Sequence, residues 1–396
     1  MKRVLLFLLV FLIAVTLVLL WSTEWLASLG ARPASAHRFH NRQQAPLTTT
    51  SNREMFRRQF FGKEQRAPLR PIPVVRERRA NPSALRATWI GWATVLVEID
   101  GHRVLTDPIW SERCSPSTLV GPKRFHPPPI ALDALPYIDA VVISHDHYDH
   151  LDMATVRTLA RKGTRFAVPL GVGAHLRRWG IDAKQITELN WNQSVNVAGL
   201  RITATPSRHY SGRNPRYKDA TLWASWVVAG PAHRFWFSGD TGWTDDFAKI
   251  GATHGPIDLT LIKIGAYDPS WESIHVNPED AVRAHRAVRG KVMLPVHWGT
   301  FNLAFHEWRE PPDRALAAAR KAGVAIVIPR PGQAIDLTAP LPRVDEWWLQ
   351  SAHAENDVAA PAHAVRVARG REIRRHEARR DRDHRSQRAG DDGTLR

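Results

Sequence analysis

The chain has 396 residues, 43% of them hydrophobic, enough to bury a sizeable core in one large domain or two, so a wholly disordered chain is excluded. The formal net charge of +17 admits nucleic acid or an anionic membrane as partner, but much of the excess is local: residues 53–86 carry ten Arg/Lys against three Glu. The single cysteine, Cys114, excludes an intrachain disulfide and a cysteine-based metal site, which leaves His and carboxylates as ligands for zinc, iron or manganese.

Met1-Lys2-Arg3 precedes an unbroken apolar run from Val4 to Trp21, about the length a bilayer core requires. The run is longer than the apolar part of a secretory signal, and Ala34-Ser35-Ala36, an A-x-A site, lies far beyond its end. Residues 1–21 are therefore expected to be an uncleaved transmembrane anchor, with a bacterial inner-membrane location, and a cleaved signal with a periplasmic or secreted product as the alternative. Basic residues on both sides of the run leave its orientation open.

Residues 22–84 read as a polar, basic connector without a sustained apolar period. Two β-rich runs follow, Ala87–Ile99 and Val104–Thr106, joined by the hairpin signal Asp100-Gly101. Ala140–Ser144 reads as a buried strand, and Asp152 can cap a helix ending at Gly163. Asn277-Pro278-Glu279-Asp280 opens a helix towards Val288, and Pro311–Lys321 is another, followed by the strand Val324–Ile328. This alternation predicts an α/β domain over residues 85–340. Residues 341–396 form an Arg-rich segment expected to be disordered.

Chemistry concentrates in Ser144-His145-Asp146-His147-Tyr148-Asp149-His150-Leu151-Asp152, directly behind a buried strand. In an extended start His145 and His147 point the same way and can grip one ion, while Asp149 and His150 can reach a second. Three other strands end on a candidate ligand: Arg201–Thr205 before His209, Phe235–Phe237 before Asp240, and Val292–Val296 before His297. Singly each is weak, but ligands at the carboxyl ends of neighbouring strands would converge on one crevice. Asp107, ending another strand, reads equally as a group orienting a ligand histidine and as a turn carboxylate before Pro108. His285 and His306 read as structural or surface residues.

The H-x-H-x-D-H pattern of His145, His147, Asp149 and His150 is similar to the signature of the metallo-β-lactamase fold superfamily, over about Leu85–Ile335. Within it the chain most resembles N-acylphosphatidylethanolamine-hydrolysing phospholipase D and its bacterial relatives. That likeness rests on Trp89-Ile90-Gly91-Trp92-Ala93-Thr94, Gly121-Pro122-Lys123-Arg124-Phe125, Ile264-Gly265-Ala266-Tyr267 and His297-Trp298-Gly299-Thr300, among other stretches. The resemblance implies an αββα four-layer sandwich with two zinc ions. It assigns His145, His147 and His209 to the first ion, Asp149, His150 and His297 to the second, and Asp240 to both. It places His275 near the substrate phosphate, and makes a phospholipid-like phosphodiester the expected substrate, cleaved to phosphatidic acid and an N-acylethanolamine. Asp149 is then the expected proton acceptor and His275 a donor to a phosphoryl oxygen or the leaving alkoxide; Lys123 and Arg124 read as solvated loop cations, with phosphate contact as the alternative.

The anchor and the Arg-rich tail are not part of that family's pattern, and residues 22–84 match it poorly. The same metal site would serve a lactone, a β-lactam or a soluble phosphodiester. A nucleic-acid-binding role for Arg366–Arg388 is the reading from another class, and the interleaved acids of the tail weaken it. Oligomeric state is not encoded in any feature of the sequence.

Overall fold

The computed structural model describes residues 2–20, 38–44, 46, 48–76 and 83–352. The N-terminal apolar run is helical, α1 (Lys2–Leu20), and exposes Leu5, Leu8, Phe11 and Leu12 among others. Among the described residues, no helix is long and apolar enough to cross a membrane. The Ala34-Ser35-Ala36 site and residues 353–396 of the expected disordered tail lie outside the described residues.

Two seven-stranded sheets make the domain. The first contains β1 (Leu85–Gly91), β2 (Thr94–Ile99), β3 (His102–Thr106), β4 (Ala140–Val142), β5 (Arg165–Pro169), β6 (Ile186–Leu189) and β14 (Ala334–Asp336), in the order β14-β1-β2-β3-β4-β5-β6. The second contains β7 (Ser194–Val197), β8 (Leu200–Thr205), β9 (Ser225–Ala229), β10 (Arg234–Phe237), β11 (Ile257–Lys263), β12 (Gly290–Val296) and β13 (Ala325–Ile326), in the order β13-β12-β11-β10-β9-β8-β7. The run expected as one strand, Ala87–Ile99, is two: Gly91 (φ 135°) and Trp92 (φ 53°) turn the chain back, and Trp89 pairs with Val95 in antiparallel register. Asp100 (φ 46°) and Gly101 (φ 86°) then form the expected two-residue hairpin, whose left-handed pair matches strand twist.

Strand alternation explains the layering. Leu96, Leu105, Val141 and Phe166 face outward beneath α3 (Met153–Arg161) and α4 (Gly173–Arg178), packing on Val156, Leu159 and Leu176. Their neighbours Val95, Val97, Val104, Val142 and Ala167 face inward into the core shared with Trp226, Val228 and Phe235. Over the second sheet lie α5 (Asp246–His254), α6 (Pro278–Ala287) and α7 (Glu310–Ala322), which bury Phe247, Ala281, Val282, Ala315 and Leu316. Both helix starts expected from capping residues are formed: Asp152 accepts from Ala154 N–H, and Asn277 from Asp280 N–H at 2.8 Å.

The flanking segments dock more than their composition implies. Residues 48–76 include α2 (Asn52–Phe61), which buries none of its own residues but joins the domain through Arg58 and Asp268 at 2.8 Å. Extended chain around it bonds edge-on, Thr49 N–H to Ser270 O, Leu69 N–H to Ser351 O and Val75 N–H to Pro331 O, contacts that leave no apolar period in the sequence. The compact part also continues past residue 340: Trp347 and Trp348 are fully buried. Trp347 donates to Ile328 O at 3.0 Å and its ring lies 5.5 Å from that of Trp298, which stacks on Trp89 at 5.1 Å. Trp347→Ala is expected to cost about 3–5 kcal/mol, read as a lower urea midpoint with an unchanged slope; a midpoint within error of wild type would show that this indole is not part of the core.

Candidate metal centre

Strand ends from both sheets meet along one edge. Asp107 follows β3, His145 follows β4, His209 follows β8, Asp240 follows β10 and His297 follows β12. His145, His150 and His209 are fully buried, and His297 and Asp240 nearly so. Two of these loops touch because Gly239 (φ 55°) has no side chain: a Cβ there would overlap Ser144, next to His145. A Cβ on Gly242 would overlap the Ser273 carbonyl, so the loop after β10 also meets the segment carrying His275.

The side chains form two clusters whose ligand atoms lie within 4.8 Å of one another, His145 with His147 and His209, and Asp149 with His150, Asp240 and His297. In the first, His147 Nδ1 is 2.8 Å from His145 Nε2 and 3.4 Å from His209 Nε2. In the second, His150 Nε2 is 3.0 Å from His297 Nε2, 3.2 Å from Asp149 Oδ2 and 3.4 Å from Asp240 Oδ2. Asp240 stands between the clusters, Oδ1 3.0 Å from His297 Nε2 and Oδ2 3.8 Å from His209 Nε2. His275 approaches from the side, its Nε2 3.8 Å from Asp240 Oδ2.

Electrostatics argue that this arrangement is built around positive charge. Burial holds His145, His147 and His209 below the usual imidazole range, His209 to about 3, so they are neutral and present lone pairs. Burial would raise the carboxyls of Asp149 and Asp240, but His150 and His297 outweigh it and hold both well below the usual range. His150 shows the converse: burial opposes its charge, yet Asp149, Asp240 and Asp107 hold its pKa well above the ordinary value. Asp240 Oδ1 is buried without a hydrogen bond. Crowded imidazole and carboxylate donors with no thiolate fit a divalent cation such as zinc, iron or manganese.

The surrounding groups fix the ligands. Asp107, at φ 33°, accepts from Ser144 N–H at 2.6 Å and from Ser144 Oγ at 2.5 Å, and lies 2.6 Å from His150 Nδ1. It is the orienting group and not a bland turn carboxylate. Trp92 donates to Asp149 Oδ2 at 3.1 Å, and its carbonyl accepts from His297 N–H, which holds that residue at φ 63°. Asp146, the unassigned member of the His-rich run, binds His175 Nε2 at 3.1 Å and Gly212 N–H at 2.7 Å, pinning the loop from outside. Trp92, Ser144 and His175 carried no sequence signal of a role, because the partners that define it, Asp149, Asp107 and Asp146, are 57, 37 and 29 residues away.

The centre opens into a cavity of about 750 Å³ lined by His147, Asp149, Asp240, His275 and His297 on the metal side. Lys123 and Arg124 do not line it: Lys123 pairs with Glu112 at 2.6 Å, and Arg124 is buried against the Trp110 carbonyl. Of the two readings of these cations, phosphate contact is the one this geometry does not support. His285 bonds Thr260 and His306 accepts from Ala266 N–H, so both are structural as expected.

Residues 102–298 match the family described as the beta-lactamase superfamily domain. An uncharacterized protein of Mycobacterium tuberculosis is 55% identical over 287 residues, covering 71% of this chain and 77% of the relative. An N-acyl-phosphatidylethanolamine-hydrolyzing phospholipase D of Caenorhabditis elegans is 42% identical over 247 residues, 59% of this chain and 69% of that protein. Among solved structures, a metallo hydrolase of Ignicoccus hospitalis superposes with a TM-score of 0.50 at 22% identity, over 63% of this chain and 97% of its own, a likeness of fold.

If Asp107 orients His150, Asp107→Ala is expected to weaken metal retention by about 10- to 100-fold while leaving the fold intact. Chelator competition with circular dichroism as the control checks this, and unaltered retention would return Asp107 to a structural role.

Proposed function

The chain belongs to the metallo-β-lactamase superfamily and is a metal-dependent hydrolase, and on that premise we propose that it is a two-zinc phosphodiesterase of the N-acylphosphatidylethanolamine phospholipase D type. The observation that carries this reading is the cavity above the metal centre. Met55, Trp271, Ile274 and Leu303 give it an apolar wall, as an acyl chain requires. Next to Met55, α2 exposes Phe56, Phe60 and Phe61, with Arg53 and the Glu54-paired Arg57 on the same short helix. Exposed aromatics interleaved with cations fit an anionic lipid surface. Membrane association is part of the proposal, since an enzyme held at a bilayer surface would meet its substrate in the plane of the membrane.

His145, His147 and His209 would hold one ion, and Asp149, His150 and His297 the other, with Asp240 reaching both. Such ions would supply Lewis acidity towards phosphoryl oxygens and an ionised water at neutral pH. Hydrolysis would break the P–O bond to the N-acylethanolamine; the oxygen of water stays on phosphorus, and a proton passes to the leaving alkoxide. Asp149, held by Trp92 on one oxygen, faces the cavity and would accept the proton of the water. His275 lines the same cavity, is kept neutral by burial, and has a buried Nδ1 without a partner. It would donate a hydrogen bond through its ring N–H to a phosphoryl oxygen or to the leaving oxygen.

Two sets of variants test this. His147→Ala and Asp240→Asn are expected to abolish release of N-acylethanolamine from vesicles of N-acylphosphatidylethanolamine and to lower bound zinc, measured by lipid and plasma mass spectrometry. Full activity with unchanged zinc would remove the proposal, and hydrolysis of a lactone or β-lactam in place of the lipid would redirect it. His275→Ala is expected to retain zinc and lose about 100-fold or more in kcat, the usual worth of a positioned acid; loss of metal would make His275 a ligand instead.

A further inference from the structure

The active-site cavity holds charge that hydrolysis of a simple diester does not use. Its two carboxylates, Asp149 and Asp240, both belong to the metal centre. Its two cationic side chains, Arg213 and Lys218, both come from the single loop 211–219. Arg213 is buried and already committed, donating to the carbonyls of Asp146 at 3.0 Å and Leu151 at 2.8 Å with its guanidinium over Tyr148. Lys218 is exposed, and among the described residues no carboxylate forms an ion pair with it. Its Nζ lies 6.0 Å from the ring centre of Tyr210, and that ring packs on His147 and His209 at 4.5 and 4.8 Å. The ammonium therefore stands one aromatic ring away from the first metal cluster.

The loop holds it there. Asp219 N–H donates to Ser211 O at 3.0 Å, and Ser211 N–H returns to Asp219 Oδ1 at 3.2 Å, closing the loop at its base. This bond uses one oxygen of the Asp219 carboxylate. Gly212 takes φ 133°, and a Cβ there would sit 3.1 Å from Lys218 Cα, so the two sides of the loop pack without a side chain between them. Gly212 N–H is bound by Asp146, which ties the loop to the His145–His147 turn. Arg38 donates to the Lys218 and Arg216 carbonyls from outside.

We propose that Lys218 forms an anion subsite of the active-site cavity, which selects phosphodiesters carrying a second negative group, such as a carboxylate, one aromatic ring's breadth from the scissile phosphate. The inference rests on the phosphodiesterase reading and deepens it by naming the substrate class. A cation without a carboxylate partner beside a bound phosphate adds Coulombic attraction for the extra charge and gives nothing to an otherwise identical neutral group. Preference for the charged substrate should therefore weaken as salt rises.

The test compares two synthetic lipids that share acyl chains and the scissile bond: N-acylphosphatidylethanolamine and N-acylphosphatidylserine, the second differing by one carboxylate. Both are presented in neutral detergent micelles to the metal-loaded full chain. Wild type is expected to have a lower KM for the serine lipid. Lys218→Glu should raise that KM by at least about fivefold, as a partly screened ion pair allows, and change the KM of the ethanolamine lipid by less than about twofold. Lys218→Arg should restore the preference. Equal effects on both lipids, or a preference untouched by Lys218→Glu, would overturn the subsite. If neither lipid is cleaved, calorimetric binding of N-acylphosphoserine and N-acylphosphoethanolamine separates the questions. A serine preference lost in Lys218→Glu would keep the subsite while the phosphodiesterase reading fails; equal binding would remove the subsite as well.

Discussion

Packing imidazoles and ionised carboxylates into one buried space is the constraint on which this fold depends. Without positive charge between them, His150 and His297 would hold their Nε2 atoms 3.0 Å apart and Asp240 would bury an oxygen without a hydrogen bond. Such a cluster is costly in a protein interior unless a cation completes it. The rest of the centre resists that cost. Asp107 binds both Ser144 and His150, Trp92 holds Asp149, and Gly239 lets two ligand loops approach closely enough to share Asp240.

The two-sheet architecture delivers these groups without bringing them near one another in sequence. β3, β4, β8, β10 and β12 each end on a residue of the centre or its support, and their alternating faces are buried on both sides by apolar layers. The strands are thereby fixed in register, and a one-residue slip would turn a ligand away from the edge. Recognition is built separately from reaction. The metal side of the cavity is contributed by strand tips, whereas its apolar wall and its cationic loop come from residues 48–55, 266–274, 303 and 211–218. That division is why one metal-binding fold can host different substrates.

Much of the centre was legible in the sequence because each ligand follows a short apolar strand, and the His145–His150 run compresses four of them into one turn. The hairpin at Asp100-Gly101 and the helix caps at Asp152 and Asn277 were legible for the same reason: a local rule decides them. What was not legible depends on distant partners. Trp92 binds Asp149, His175 binds Asp146, and Arg58 binds Asp268 across 210 positions. Residues 48–76 looked like a connector because edge-on backbone bonds need no apolar period, and Trp347 and Trp348 looked like the start of a tail because two indoles in a polar context carry no periodicity. Lys123 keeps the exposed position expected of a loop cation, whereas Arg124 is buried on the Trp110 carbonyl, a commitment that adjacent charges do not signal.

The central claim is that the seven side chains form one binuclear cage. Anomalous diffraction from crystals of the purified chain, with data collected on both sides of the zinc edge, tests it most directly. Two strong peaks are expected, one among His145, His147 and His209 and one among Asp149, His150 and His297, with Asp240 between them. A single peak, or peaks away from these residues in a chain that hydrolyses its substrate, would contradict the account.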